Sequence, residues 1–239
     1  MEISIIIPAY NEAKRITTTI KSVVDYLNNL VQDRYEIIIV LDGSKDNTLE
    51  VVTELAKKYN KIKIINNKIN KGKGAAVKQG MLESKGDYVI FMDADNSTHI
   101  DELDKILPIM RQGIDVVVGS RDIIGSQVEI RQARYKEILG DLGNWWLQIL
   151  LVGGIKDTQC GFKVLSGKVA RHVFAKINMK GWSFDIELLA LARYFGYSVK
   201  EMPVIWYNDE SSHVKLKDYI QVLIDTVVIK YRLLTGYYK

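Results

Sequence analysis

The chain has 239 residues, 47% of them hydrophobic, enough for one large domain or a domain with an appended subdomain. Its 33 basic and 29 acidic residues leave a net charge of +4, too mild for bulk nucleic-acid binding. The single cysteine, Cys160, excludes an internal disulfide and suits a reducing, cytoplasmic compartment. The opening residues carry no basic leader and run into "ISIIIPAY" (3–10), so they read as a buried strand and not as a signal peptide. Ile16, Ile20, Val23, Leu27 and Leu30 then recur at helical spacing. "YEIIIVLD" (35–42) reads as a second strand, and Leu49, Val52, Leu55 and Tyr59 mark a second helix. "KIKIINN" (61–67) is a third strand, followed after the glycine-rich "KGKG" by a helix from Gly74 to Ser84. "DYVIFMDAD" (87–95) and "IDVVVGSR" (114–121) are the fourth and fifth strands, with a helix start expected near Ser97–Asp101. Strand–helix alternation predicts an α/β fold, a mainly parallel sheet with helices on both faces.

In such sheets ligands bind beyond the carboxyl ends of the strands. Pro8, Tyr10 and Glu12 end the first strand, Asp42 the second, Asp93 and Asp95 the fourth, and Ser120 and Arg121 the fifth. All would gather along one edge. Two carboxylates one residue apart repel unless something neutralises them. Asp93 and Asp95 offer the hard oxygen ligands that Mg²⁺ or Mn²⁺ shares with phosphates, and such an ion would stabilise a diphosphate leaving group. The plainer alternative is a loop aspartate pair that caps the following helix. "KGKGAAVKQG" (71–80) does not match the phosphate-loop spacing, and "PAYNEAKR" (8–15) lacks the dinucleotide-binding glycines.

"SIIIPAYNE" (4–12), "LDGSKDNT" (41–48), "NKGKGAAVKQGM" (70–81) and "GDYVIFMDAD" (86–95) together resemble family 2 of the inverting glycosyltransferases, which have the GT-A fold. In the second half, "IKDTQCGFKV" (155–164), "WSFDIELLALARYFGY" (182–197) and "VVIKYRLLTGYYK" (227–239) resemble the dolichyl-phosphate β-glucosyltransferases, with polyprenyl-phosphate mannosyltransferases more distant. The family has two aspartates before "GS", where this chain has Leu41 and Asp42. The resemblance implies that Pro8, Tyr10, Glu12 and Asp42 surround the nucleotide, and that Lys71, Gly72 and Lys73 approach the donor. It also implies that Asp93 and Asp95 hold the metal, and that Asp157 in "DTQCGFK" is an active-site carboxylate, a positioning group or weak base. For the lysines the alternative is a solvated loop, and for Glu12 a helix-start charge.

The implied reaction is metal-dependent inverting transfer of a hexose, glucose from UDP-glucose, onto dolichyl or another polyprenyl phosphate. The alternatives are mannose from GDP-mannose and a catalytically silent sugar-nucleotide-binding scaffold. A nucleotidyltransferase would carry a glycine- and arginine-rich N-terminal signature that "PAYNEAKR" does not match. A phosphate monoester, with a second pKa of about 6, is already anionic near neutrality. It needs cations rather than a strong base, and Arg121, Arg131 and Arg134 follow the fifth strand, with ordinary surface roles the alternative for Arg131 and Arg134. Asp185 and Glu187, two apart on an expected helix, would point to different faces, one into the site and the other to solvent, or Glu187 is a buried partner for an arginine. Cys160 reads as a packed residue, and His99, His172 and His213 show no metal spacing.

No apolar stretch is long and uncharged enough to span a bilayer. "LGNWWLQILLVGGI" (142–155) has interfacial length and paired tryptophans, and the C-terminal "KLKDYIQVLIDTVVIKYRLLTGYYK" (215–239) reads as an amphipathic helix facing an anionic leaflet. Packing on the core or a homodimer interface is the other use for either. The expectation is a glycosyltransferase domain over residues 1–212 and an interfacial helix over 213–239, peripheral to the cytoplasmic membrane face.

Overall fold

A computed structural model describes residues 2–128, 145–207 and 216–239. Arg131, Arg134 and His213 lie outside the described residues.

The apolar runs form β1 (Ile3–Ala9), β2 (Tyr35–Asp42), β3 (Ile62–Asn67), β4 (Tyr88–Met92) and β5 (Val116–Ser120). Between them lie α1 (Ile16–Val31), α2 (Thr48–Lys58), α3 (Lys73–Glu83) and, after a short 3-10 turn at Ile100–Glu102, α4 (Leu103–Arg111). The second half adds β6 (Gln127–Val128), a π-helical turn at Gln148–Val152, β7 (Phe162–Ser166), α5 (Gly167–Lys176), α6 (Phe184–Tyr194), β8 (Val199–Pro203), β9 (Ile205–Trp206) and α7 (Leu216–Leu234).

Seven strands form one sheet in the order β3-β2-β1-β4-β7-β5-β8, and β6 pairs with β9 in a second. Within the large sheet only β7 runs antiparallel, to both β4 and β5. This is the mainly parallel sheet expected from the alternation.

Side chains alternate across the pleat. Ile3, Ile5 and Ile7 of β1 face one layer with buried residues of α1, α2 and α4, whereas Ile6 faces the other with buried residues of α3, α5 and α6. α1 is held by its 3.6-residue apolar stripe, Ile16, Ile20, Val23, Val24, Leu27 and Val31, all buried.

The chain leaves β1 toward β2 on one side, while β4 flanks it on the other. β1 pairs with β4 only from Ile3↔Tyr88 to Ile6↔Phe91, yet with β2 as far as Ala9↔Leu41. Beyond Ile6 the two strands part, and Pro8, with no N–H to give a ladder, sits in that stretch. The carboxyl ends of β1 and β4 are thus the topological switch point, where such sheets bind ligands.

Candidate active site

β4 stops at Met92, so Asp93 and Asp95 lie on the turn beyond it. The turn is tethered to the start of β7: Asp93 N donates to the Gly161 carbonyl at 3.1 Å. The Asp93 carboxylate lies so close to Gly161 that a Cβ there would stand 2.0 Å from Oδ2. Asp93 Oδ1 is paired with Lys73 Nζ at 2.7 Å, and that ammonium also lies 5.4 Å from the Phe91 ring centre and 5.0 Å from that of Trp182. Asp95 Oδ1 accepts the Ser97 amide at 2.9 Å, a local turn, and no side chain caps α4. Helix capping therefore does not account for the aspartate pair.

Burial and then the neighbouring charge of Asp93 push the Asp95 carboxyl above its ordinary value. Burial also raises Glu12, against the pull of Arg15, with Asp95 and Asp93 adding to the rise. Arg15 holds Glu12 in a fork, Nε to Oε2 at 2.8 Å and Nη2 to Oε1 at 2.7 Å, as the chain enters α1. The switch point thus carries crowded negative charge that a cation would relieve. Among the described residues no group of three or more His, Cys, Asp or Glu is placed to hold a metal by itself. An ion on Asp93 and Asp95 would complete its shell from phosphate oxygens or water, as Mg²⁺ and Mn²⁺ commonly do.

Asp42 is buried at the end of β2 and faces the loop ahead of α3. Its Oδ1 accepts Lys71 N at 2.9 Å and its Oδ2 accepts Gly72 N at 2.8 Å. Gly72 has φ +99°, and a Cβ would meet the Lys180 carbonyl at 2.4 Å. Asp42 and Gly72 therefore fix the loop that delivers Lys73 inward, while Lys71 reaches only Asn67 at 3.3 Å. Tyr10 is half-buried beside Asn11, whose φ of +58° and side-chain bond to Lys45 N (2.8 Å) tie this turn to the one after β2. Pro8 is buried within β1 rather than ending it.

On the far side of β7, Arg121 at the end of β5 meets Asp157. Arg121 Nε donates to Oδ2 at 2.6 Å, Nη2 to Oδ1 at 2.9 Å, and the Arg121 amide to Oδ2 at 3.0 Å. The guanidinium also lies 5.1 Å from the Trp206 ring centre. Burial would raise the Asp157 carboxyl, but Arg121 holds it below the usual carboxylate range. A carboxylate so stabilised is a poor proton acceptor. Glu201 on β8 fixes its backbone, accepting the amides of Lys156 and Asp157 at 2.9 Å each.

The two acidic groups of α6 diverge, as two-residue spacing on a helix requires, but neither faces solvent. Asp185 Oδ1 pairs with Lys163 Nζ at 2.6 Å, and Lys163 also donates to the Cys160 carbonyl at 2.6 Å. Asp185 and Lys73 also interact electrostatically. Glu187 points away: its Oε2 accepts the amides of Asn178 (2.8 Å) and Met179 (2.7 Å), and its Oε1 accepts the Tyr238 hydroxyl. Arg232, itself partly exposed, approaches it at 3.9 Å, so that Glu187 is the buried partner for an arginine that the sequence allowed. The expectation that one of the two faces solvent is corrected; the loop before α6 and the C-terminus both fold onto Glu187. Cys160 is buried, its thiol pushed up to about 12, mainly by burial, which fits a packed residue.

Sequence reasoning missed Lys163, Gly161, Trp182 and Glu201. Lys163 did carry a signal. Phe162 and Val164 face one layer and Leu165 the other, so Lys163 occupies an inward strand position where only a paired charge is tolerated.

The sheet order and the carboxylate pair after the central strand fit the GT-A fold that the sequence resemblance implies. The model for Glycosyl transferase family 2 matches residues 4–170, and the chain belongs to that family. It is 35% identical over 249 residues to the dolichyl-phosphate beta-glucosyltransferase of Dictyostelium discoideum (99% of this chain, 76% of that one). It is 31% identical to the enzyme of that name from Homo sapiens (98% and 76%). Among solved structures, glucosyl-3-phosphoglycerate synthase from Mycobacterium tuberculosis with Mn²⁺, UDP-glucose and phosphoglyceric acid aligns with a TM-score of 0.66 at 18% identity (97% and 79%). Mannosyl-3-phosphoglycerate synthase from Rubrobacter xylanophilus aligns at 0.68 and 19% (99% and 75%). These structures speak to the fold.

Proposed function

We propose that this glycosyltransferase moves glucose from UDP-glucose onto dolichyl or another polyprenyl phosphate, with inversion, at the cytoplasmic face of a membrane. The observation that carries the reading is the similarity, along nearly the whole chain, to enzymes named for that lipid acceptor and that sugar. The geometry fits it: an acidic donor crevice at the switch point stands across β7 from the arginine at the end of β5.

A Mg²⁺ or Mn²⁺ held by Asp93 and Asp95 would neutralise the diphosphate of the leaving group. Tyr10 and Glu12 lie where the nucleotide would enter, and the loop set by Asp42, Lys71 and Gly72 presents Lys73 beside Asp93. Arg121 orients the acceptor phosphate, and Asp157 holds Arg121 in place. The acceptor oxygen, already anionic, forms the new bond to the anomeric carbon as the bond to UDP breaks, in one in-line displacement. No proton needs to be removed, so Asp157 acts by position. Arg131 and Arg134 are proposed to add to the acceptor phosphate's positive surroundings.

The membrane contact is assigned to α7. Ile220, Leu223, Ile224, Val227, Tyr231 and Leu234 repeat at helical spacing and are exposed, Tyr231 at 67% and Leu234 at 76%. The π-helical turn that packs against α7 exposes Ile149, and Trp145 and Trp146 are exposed beside it. No helix among the described residues is long and apolar enough to cross a membrane, so this stripe would lie along the surface.

The test is transfer of labelled glucose from UDP-glucose to polyprenyl phosphate in liposomes, with GDP-mannose as the competing donor and Asp95→Asn as control. Metal-dependent glucosyl-lipid, lost in Asp95→Asn, supports the reading. Transfer from GDP-mannose alone, or undiminished transfer in Asp95→Asn, overturns the donor or the metal assignment respectively. Ile224→Glu with Val227→Glu should release the protein from anionic liposomes. Unchanged flotation, or a wild-type homodimer that these changes split, refutes the membrane face.

A further inference from the structure

We propose that Lys73 is the resident cation of the Asp93 site, so that a divalent ion is held there tightly only when a nucleoside diphosphate arrives with it. This rests on the donor-site reading above. It adds an order of binding and assigns that order to one side chain.

The ammonium is placed by three independent contacts. Asp93 Oδ1 lies 2.7 Å away, and the faces of Phe91 and Trp182 lie on its other sides. The backbone leaves little freedom, because Gly74, one residue on, lies where a Cβ would meet the Met179 carbonyl at 2.6 Å and Phe184 Cβ at 2.7 Å. The backbone that carries Lys73 is thus packed closely against the loop before α6. Buried Asp185 acts on the same ammonium from within. With Asp185 and two aromatic faces, the lysine keeps a favourable seat when the Asp93 oxygens are taken by another cation.

Consequently an ion reaching Asp93 and Asp95 alone meets carboxylates already partly neutralised, and a fixed positive charge a few ångströms away. Like charges at that distance repel strongly in a partly desolvated site. A diphosphate reverses the balance, since its negative oxygens attract both the ion and the ammonium. Metal and nucleotide then strengthen each other's binding by the same factor, as linkage requires.

The measurement is Mn²⁺ affinity of the full chain, by electron paramagnetic resonance of the free ion, with and without UDP. The wild type should bind Mn²⁺ weakly alone and much more tightly with UDP. Lys73→Met should bind Mn²⁺ alone at least tenfold more tightly than wild type, and the enhancement by UDP should shrink at least tenfold. Lys73→Arg, which keeps the charge, should behave as wild type. A damaged site would bind the metal less well, so a gain in affinity is not a structural side effect. Lys73→Gln serves as a second neutral variant should the methionine protein fail to fold. Equal or weaker Mn²⁺ binding by a folded neutral variant in the absence of UDP overturns the proposal. Failure of the wild type to bind UDP under any condition strikes instead at the donor reading, and the Mn²⁺-only comparison still decides what the lysine does.

Discussion

Replacing Lys163 by methionine keeps the volume of the side chain and removes a charge from a position shielded from solvent. Lys163 is fully buried, its ammonium 2.6 Å from Asp185 Oδ1 and 2.6 Å from the Cys160 carbonyl. Asp185 is itself 3% exposed, so the substitution strands a carboxylate in the interior. Breaking a buried pair from one side costs about 3–5 kcal/mol. For a chain of this size that is a fall in Tm of roughly 6–20 °C, at about 2–4 °C per kcal/mol. Lys163→Met with Asp185→Leu should recover most of the loss, because an apolar pair of similar volume is often neutral or better. The deficit should also depend on pH. Burial already holds the Asp185 carboxyl above its ordinary 3.8 against the pull of Lys163 and Lys73, and losing Lys163 raises it further. A group whose folded pKa is raised binds more protons folded than unfolded, so stability falls as pH rises through that window. Urea unfolding of Lys163→Met should therefore show a deficit that grows as pH rises from the ordinary carboxylate value of 3.8 toward neutrality. A single variant within about 1 kcal/mol of wild type would mean that the pair is not the buried link drawn here.

Gly161→Ala should push the Asp93 carboxylate out of place, since its Cβ would stand 2.0 Å from Oδ2. Affinity for Mn²⁺ with UDP should fall by about 10–100-fold, as for other groups that orient metal ligands, with unchanged titration counting against the assignment. Glu187→Gln turns an amide nitrogen toward donors that now meet carboxylate oxygens, and should cost about 2–4 kcal/mol in urea unfolding. A loss under about 0.5 kcal/mol would show that the C-terminus does not depend on it. Asp157 has a lowered pKa, so its contribution to stability is full above its ordinary 3.8 and is lost as pH falls below that. Asp157→Asn should remove that acid limb, measured by unfolding between pH 5 and 2, whereas kcat/KM for the lipid phosphate should rise with an apparent pKa of about 6 and then stay flat. A second rising limb near pH 8 in wild type would reveal a base beyond the groups placed at the site among the described residues.

The alternation of apolar runs made the sheet legible because every buried parallel strand must be a near-continuous hydrophobic segment. β1 through β5 were visible on that ground, none of their ends more than three residues off and β2 matched at both. β7 escaped because "FKVLS" is short and broken by a lysine, and its antiparallel direction depends on where Gly161 and Asp93 meet. The carboxylates could be read from strand ends, since topology alone brings those ends together. Their partners could not. Nothing in spacing links Lys73 to Asp93, or Arg121 to Asp157, which are 36 residues apart and meet beyond the carboxyl end of β5, beside the amino end of the antiparallel β7. Asp42 illustrates the converse: its position was plain from the sequence, while its grip on the backbone of Lys71 and Gly72 required coordinates.

The charges beneath the crevice alternate in sign. Asp93 faces Lys73, Lys73 feels Asp185, Asp185 is paired with Lys163, and Lys163 acts on Asp157, which Arg121 clamps. Glu12 is matched by Arg15. Asp95 is the carboxylate left over on this floor, and burial together with Asp93 keeps its charge costly. These paired charges with one excess carboxylate leave a net negative floor, which offers no net attraction to a sugar nucleotide or a lipid phosphate, both anions. On the proposed reading, positive charge is brought in on the donor side by an ion that Asp95 would help to hold. On the acceptor side Arg121 has only the part of its fork that Asp157 does not occupy, so basic groups beyond β5 are needed to draw in a second anion. Removing Arg121 outright would strand the buried Asp157, and a loss of activity in Arg121→Ala would mix folding with binding. Arg121→Lys, which keeps the charge but loses the two-pronged grip, separates them. It should raise KM for the lipid phosphate more than KM for the sugar nucleotide, and equal effects on both would remove Arg121 from the acceptor side.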